Sequence, residues 1–234
     1  MDLAGKTAII TGAGRGIGKA IAAALAKEGV KVALAARNKG QLFKTAKETG
    51  KNSLVVPTDI TKEKSIINLV NKTIKKYGSI DILINNAGAG FAKPVLKTTE
   101  KDWDTIIDTN LKGAYLCSRI AGLEMIKKKK GGAIINISSS AGLKGYEHQG
   151  AYCASKHGMV GLSRVLAIEL KPYNIKVHTI CPGGVDTVFI DNIKPDLPKH
   201  ELMKPEHIAD LVIFLLKQPA NATIEEILIT RFIP

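Results

Sequence analysis

The sequence predicts an α/β protein, a single domain over residues 1–234, built on a doubly wound parallel sheet of seven strands with helices on both faces. Three observations predict it. Short apolar runs alternate with longer helical segments along the whole chain, the pattern of strands joined by crossover helices. The first strand-to-helix turn is glycine-rich, TGAGRGIG from Thr11 to Gly18, where such sheets hold a diphosphate. No linker, repeat or low-complexity segment divides the chain.

The elements follow in order. TAIIT (7–11) is the first strand, and the helix after it covers 18–28 and stops at Gly29. A second strand at 31–36 precedes a helix that ends near Gly50. A third, 53–56, leads through Thr58 and Asp59 into an amphipathic helix over 62–77. Residues 82–85 form the fourth strand, followed by a loop rich in Gly and Ala. One long helix is expected over 99–130, with Thr99 as N-cap and acids in its first turn. The fifth strand, 133–137, ends in three serines, and a glycine-containing loop enters a helix that carries Tyr152 and runs to about 171. A strand at 175–180, a loop rich in Pro, Asp and Lys (182–205), a helix at 206–217 and a last strand near 224–230 complete the chain.

Composition bounds the function. Hydrophobic residues make up 45% and charged ones 24%, the balance of a soluble globular protein. No apolar run approaches the roughly 20 residues needed to cross a membrane. The N-terminal stretch lacks a basic-then-apolar layout and enters a strand directly, so a cytoplasmic protein is expected. Cys117, Cys153 and Cys181 are odd in number and show no CxxC spacing, which suits free thiols in a reducing compartment. The net charge of +13 points to an acidic partner or a phosphorylated ligand. Aromatics are only 5% and do not interleave with basic residues, which argues against a nucleic-acid platform.

The chemistry gathers in 136–156, NISSSAGLKGYEHQGAYCASK. Tyr152 and Lys156 stand four apart on one helix face. A cation beside a phenol favours the phenolate, so a tyrosine pKa lowered towards working pH is expected. A serine hydroxyl at the strand end reaches the same substrate oxygen, with Ser138, Ser139 and Ser140 as candidates. In the glycine turn, Gly12, Gly16 and Gly18 allow tight geometry, close approach to a diphosphate and close helix–sheet packing. The free N–H groups of the helix N-terminus then face the phosphates.

Together with NNAG at 85–88, Asn110 in the long helix and PGxVxT at 182–187, these motifs make the chain resemble the short-chain dehydrogenase/reductase family over nearly its whole length. The resemblance implies a Rossmann sheet in the order 3-2-1-4-5-6-7 and, usually, a homotetramer. It implies that Tyr152 is the general acid in carbonyl reduction, that Lys156 holds the nicotinamide ribose, and that Ser139, thirteen residues before Tyr152, polarises the carbonyl. Asn110 would anchor a water that relays protons to Lys156. Gly12, Gly14, Arg15, Gly16, Ile17 and Gly18 form the phosphate turn. Asp59 and Ile60 meet the adenine, while Asn86, Ala87, Gly88, Pro182, Gly183, Val185 and Thr187 line the cofactor. No metal is assigned.

An NAD-preferring site places an acid about twenty residues beyond the glycine turn. Here that position is Ala36, Arg37 follows, and Arg15 lies in the turn, so NADP(H) is the expected cofactor. The expected reaction reduces a small ketone or a 3-oxoacyl thioester. The alternatives are an oxidative alcohol or sugar-alcohol dehydrogenase and a non-catalytic NADP-binding regulator. Tyr146 and Phe189 flank the expected substrate mouth, and the short segment 188–204, with Pro195 and Pro198, leaves it open. Among family members, 3-oxoacyl-[acyl-carrier-protein] reductases are similar in layout. An acidic carrier would dock on Lys127–Lys130 and Lys171, expected at helix ends near the site entrance. The tail, NATIEEILITRFIP, departs from theirs because no glycine follows Gly184, so a homodimer stands beside the homotetramer.

Overall fold

The computed structural model describes residues 1–191, 193 and 197–232. Its seven strands are β1 (Thr7–Thr11), β2 (Lys31–Ala36), β3 (Ser53–Pro57), β4 (Ile82–Asn85), β5 (Gly132–Ile137), β6 (Ile175–Pro182) and β7 (Glu226–Ile229). They form one parallel sheet in the order β3-β2-β1-β4-β5-β6-β7. The helices are α1 (Gly16–Lys27), α2 (Lys39–Thr49), α3 (Glu63–Tyr77), α4 (Glu100–Ile107), α5 (Gly113–Lys128), α6 (Gly150–Leu170), α7 (Val188–Asp191) and α8 (Pro205–Leu216).

Successive strand residues point to opposite faces, and both faces are covered. Ile10, Leu34, Ile84 and Ile135 pack with Ile21 and Leu25 of α1 and Val212 and Leu216 of α8. Their neighbours Ile9, Ala33, Leu83 and Ile134 pack with Leu69 of α3 and Met125 of α5. Two cores on one sheet explain why the central strands carry apolar residues on both faces. The strand order reverses between β1 and β4, and their carboxyl ends diverge into the crevice where such sheets bind ligands.

The long helix expected over 99–130 is interrupted. Thr99 does cap it: its hydroxyl accepts from Asp102 N at 3.2 Å, and Asp102 accepts from Thr99 N at 3.1 Å. A π-helical turn, Asp108–Lys112, then separates α4 from α5. The added residue turns Asn110 wholly inward, where it is 0% exposed. Gly113 closes the turn against the body of the protein, since a Cβ there would lie 2.8 Å from Ile60 Cδ1. Strand β6 runs on to Pro182, whose missing N–H is tolerated at the strand's last position.

The lysines proposed for a carrier lie at the wrong end of the sheet. Each crossover helix runs antiparallel to the strands it joins, so helix C-termini fall at strand amino ends. Lys128 pairs with Asp81, which accepts from Thr7 N at 2.9 Å and whose carbonyl accepts from Ala133 N at 2.9 Å. All three residues mark the amino edge. Lys171 follows α6 and precedes β6 at that same edge. Pro195 lies outside the described residues. No helix among the described residues is long and apolar enough to cross a membrane.

Candidate active site

Two loops meet at the crevice and are stitched together by side chains. Thr11 Oγ1 accepts from Asn86 N at 3.0 Å and Ala87 N at 3.1 Å, and donates to Ile84 O at 3.2 Å. Asn86 Nδ2 donates back to Thr11 O at 3.0 Å and Gly12 O at 3.3 Å. Gly12 sits at φ +67, and a Cβ there would lie 2.9 Å from Ala87 Cα. A Cβ on Gly18 would lie 2.4 Å from Gly12 O, so Gly18 serves close packing of the helix on the turn.

The glycine turn opens into a channel of about 620 Å³ that runs past Gly16, Ile17, Asn86, Ala87 and Gly88 to Tyr152, Lys156 and Thr187. A second recess of about 320 Å³ adjoins it, lined by Gly14, Arg15, Ala36, Arg37, Asp59 and Ile60. The first turn of α1 has no acidic residue, and its unpaired N–H groups face the channel. An anionic dinucleotide fits this donor set. Burial pushes the Asp59 carboxyl up, but hydrogen bonds from Thr61 and the nearby Arg37 hold it below its ordinary value. Its Oδ1 accepts from Thr61 N at 3.0 Å and Thr61 Oγ1 at 2.8 Å, which fixes the side chain in the recess wall.

At the end of β5 the three serines separate by partner. Ser138 Oγ donates to Lys156 O at 3.1 Å and is buried. Ser140 Oγ lies 2.9 Å from Tyr146 Oη. Ser139 Oγ accepts from Ala141 N at 3.1 Å and hydrogen-bonds the Tyr152 phenol. Spacing singles out Ser139, and it is the serine that faces the tyrosine.

The electrostatics depart from expectation. Tyr152 is 7% exposed, and burial pushes its phenol up to about 12, against a downward pull from the Ser139 hydrogen bond. Lys156 Nζ donates to Ile137 O at 2.8 Å and stands 5.8 Å from the Tyr152 ring centroid. Burial brings the ammonium down to about 8. The expected lowering of the tyrosine is therefore reversed. Desolvation of the phenolate outweighs a cation that is bound to a backbone carbonyl. The charged ammonium still predominates at pH 7.

Asn110, expected to anchor a water, holds three protein partners through its side chain. Its Nδ2 donates to Ala89 O at 2.9 Å and Ser155 Oγ at 3.0 Å, and its Oδ1 accepts from Ala89 N at 2.7 Å. Both amide hydrogens are committed. Ser155 Oγ in turn donates to Tyr152 O at 2.8 Å, so the side chain fastens the 86–90 loop to the helix of the tyrosine.

A third cavity, of about 140 Å³, meets the channel at Tyr152. Tyr146, Gln149, Phe189 and Ile193 line it, and the Phe189 ring lies 5.6 Å from that of Tyr152. Pro182, Gly183 and Val185, expected along the cofactor, line this cavity together with Ile17 and Thr187, which it shares with the channel. Sequence reasoning missed Thr11, Ser155 and Arg231. It also missed a buried chain in which Asn85 Nδ2 donates to Asn136 Oδ1 at 2.8 Å and Asn136 Nδ2 to Ser163 Oγ at 2.7 Å. One signal was available: β4 and β5 both carry an Asn after apolar residues, and the two are register partners.

Comparison with known proteins shows the family and the fold. The model of the short chain dehydrogenase family matches residues 6–198. An uncharacterized oxidoreductase of Staphylococcus aureus (strain MRSA252) is 36% identical over 226 residues, covering 96% of each chain. A 3-ketoacyl-(acyl-carrier-protein) reductase from Brucella melitensis, complexed with NADH, superposes with a TM-score of 0.92 at 30% identity, over 97% of this chain and 98% of that one. A metagenomic short-chain oxidoreductase in complex with NADP gives a TM-score of 0.86 at 33% identity, with 100% of both chains covered. On the family match and these relatives, the chain belongs to the short-chain dehydrogenase family as one of its oxidoreductases.

Proposed function

We propose that the protein reduces a small ketone to a secondary alcohol with NADPH as donor. The observation that carries this reading is the position of Tyr152, buried beside Ser139 where the nucleotide channel meets the 140 Å³ cavity. The glycine turn and the N-terminus of α1 would hold the diphosphate, and Asp59 and Ile60 the adenosine side. Asn86 to Gly88, Lys156 and Thr187 would hold the nicotinamide half. When bound, the cofactor supplies the hydride.

The protein's own groups handle charge and protons. Ser139 and Tyr152 offer two hydroxyls to the carbonyl oxygen, where negative charge builds as the bond order falls. Tyr152 then gives its proton to that oxygen. Burial raises the phenol, so Tyr152 enters the reaction protonated and able to act as the acid. The Lys156 ammonium, 5.8 Å from the Tyr152 ring centroid, would offset part of the charge on the phenolate that remains. Thr11, Asn86 and Asn110 keep the loops that frame the site in register.

NADPH is favoured over NADH because Ala36 puts no carboxylate in the recess, while Arg15 and Arg37 line it. A 3-oxoacyl thioester is a second reading, supported by the likeness to the Brucella melitensis reductase. Its thioester arm would leave through the open side of the cavity. An acidic carrier has lost its lysine docking site, since Lys127–Lys130 lie at the opposite edge of the sheet. The test follows NADPH oxidation with a panel of short ketones and acetoacetyl-coenzyme A, with NADH alongside. Turnover is expected with NADPH first, and Tyr152→Phe is expected to abolish it while NADPH affinity stays within about twofold. NADPH binding without turnover across the panel would refute the reading.

A further inference from the structure

The cavity beside Tyr152 has an asymmetric lining. Serine and tyrosine hydroxyls crowd the catalytic end, and Val185, Phe189, Ile190 and Ile193 make the walls apolar. One residue is permanently charged: Arg231 is the only Lys, Arg, Asp or Glu among the described lining residues. It arrives from the chain's last segment. Gly183 N donates to Ile229 O at 2.8 Å, which lays the tail along the end of β6. A Cβ on Gly184 would lie 3.5 Å from Arg231 Cδ and Nε, so the guanidinium stem passes directly over this glycine.

The guanidinium is only partly satisfied. Arg231 Nη1 donates to Glu201 Oε2 at 3.1 Å, with the two side chains 24% and 29% exposed. A guanidinium carries five N–H donors in a rigid fork suited to a second carboxylate. At about 140 Å³ the cavity is close to one that holds benzene, so roughly six to eight heavy atoms fit. A short compound with one polar end fits wholly inside, whereas a thioester would have to leave its arm outside the cavity.

We propose that Arg231 is a specificity-determining residue and that the ketone reduced at this site carries a carboxylate, making the substrate class a short oxo acid. The carbonyl oxygen lies between Ser139 and Tyr152, the short carbon chain against the apolar wall, and the carboxylate on the free N–H groups of Arg231. The inference rests on the reductase reading and narrows its substrate. Glu201 orients the guanidinium and competes weakly with the substrate for it.

The experiment compares acetoacetate with its neutral ethyl ester under NADPH, as the ratio of their kcat/KM values. The wild type is expected to prefer the acid. In Arg231→Gln the acid-to-ester ratio should fall about thirtyfold, chiefly through KM of the acid, because a charge-assisted bidentate contact is lost. Arg231→Lys should give an intermediate fall, because it keeps the charge without the fork, and it serves if the Gln variant does not fold. Glu201→Gln should leave the ratio unchanged or raise it. As a readout independent of turnover, the acid should raise the melting temperature of the wild type and not of Arg231→Gln. An unchanged ratio in Arg231→Gln, or an equal loss in Glu201→Gln, would overturn the inference and reduce the pair to a clasp between tail and loop. Turnover of the ester alone overturns the oxo-acid class and spares the reductase reading. Turnover of neither substrate, with NADPH still bound, removes both.

Discussion

Lys156→Met should make this protein more stable and inactive. The ammonium is 4% exposed, and burial lowers its pKa from the ordinary 10.5 to about 8. Below pH 8 both the folded and the unfolded chain carry the charge, so the desolvation cost is fully present, at about 3 kcal/mol. Above pH 8 the folded lysine sheds its proton while the unfolded one keeps it until about 10.5, so stability rises with pH across that window. Methionine fills a similar volume without charge. It gives up the 2.8 Å bond to Ile137 O, a loss of about 1 kcal/mol. The variant should therefore gain about 2 kcal/mol at pH 7, or about 4–8 °C in melting temperature for a chain of this size. By pH 9 the gain should shrink by about 1 kcal/mol. Thermal and urea unfolding of both proteins without cofactor, at several pH values from 7 to 9, measure it. Burial raises Tyr152 and Cys117, which weakens stability at higher pH, but these groups are common to both proteins and cancel in the difference. A variant less stable than wild type at pH 7, with a difference that does not move with pH, would refute a desolvated ammonium here.

Three further outcomes are expected. Ala36→Asp places a carboxylate in the recess that Arg15 and Arg37 line, and the ratio of NADPH to NADH affinity should fall about 100-fold by fluorescence titration. Asn110→Ala orphans the N–H and C=O of Ala89, so urea unfolding should show a loss of about 2–4 kcal/mol, and NADPH should bind more weakly as the 86–90 loop loosens. Gly18→Ala drives a methyl to within 2.4 Å of Gly12 O and Asn86 Nδ2, which should cost about 3 kcal/mol and distort the phosphate turn. A Gly18→Ala protein with wild-type stability and NADPH affinity would show that the turn has slack.

Much of this protein is legible in its sequence for local reasons. The inner strands are largely apolar because both of their faces are covered, so they stand out in the sequence, and the glycine turn marks which end of β1 binds. The thirteen-residue spacing from Ser139 to Tyr152 selects one of three serines, because a fixed loop joins the strand end to the helix. Element ends are local too: Thr99 and Gly29 stop or start their helices through capping geometry within a few residues.

What tertiary structure alone decided depends on distance in space. The π-helical turn at Asp108–Lys112 has no sequence signature. It exists because Asn110 finds Ala89 and Ser155, which come from two other elements. The lysine cluster reads as a docking patch in one dimension. Chain direction puts it at the amino edge of the sheet, away from the site. The tyrosine's pKa follows burial rather than its helical neighbour, because the ammonium four residues on is bound to Ile137 O instead of the phenol. Arg231 is silent in sequence, 79 positions beyond Tyr152, until strand β7 carries it to the same cavity. Periodicity and turn chemistry are written into neighbouring residues. Desolvation and partner choice belong to the folded whole.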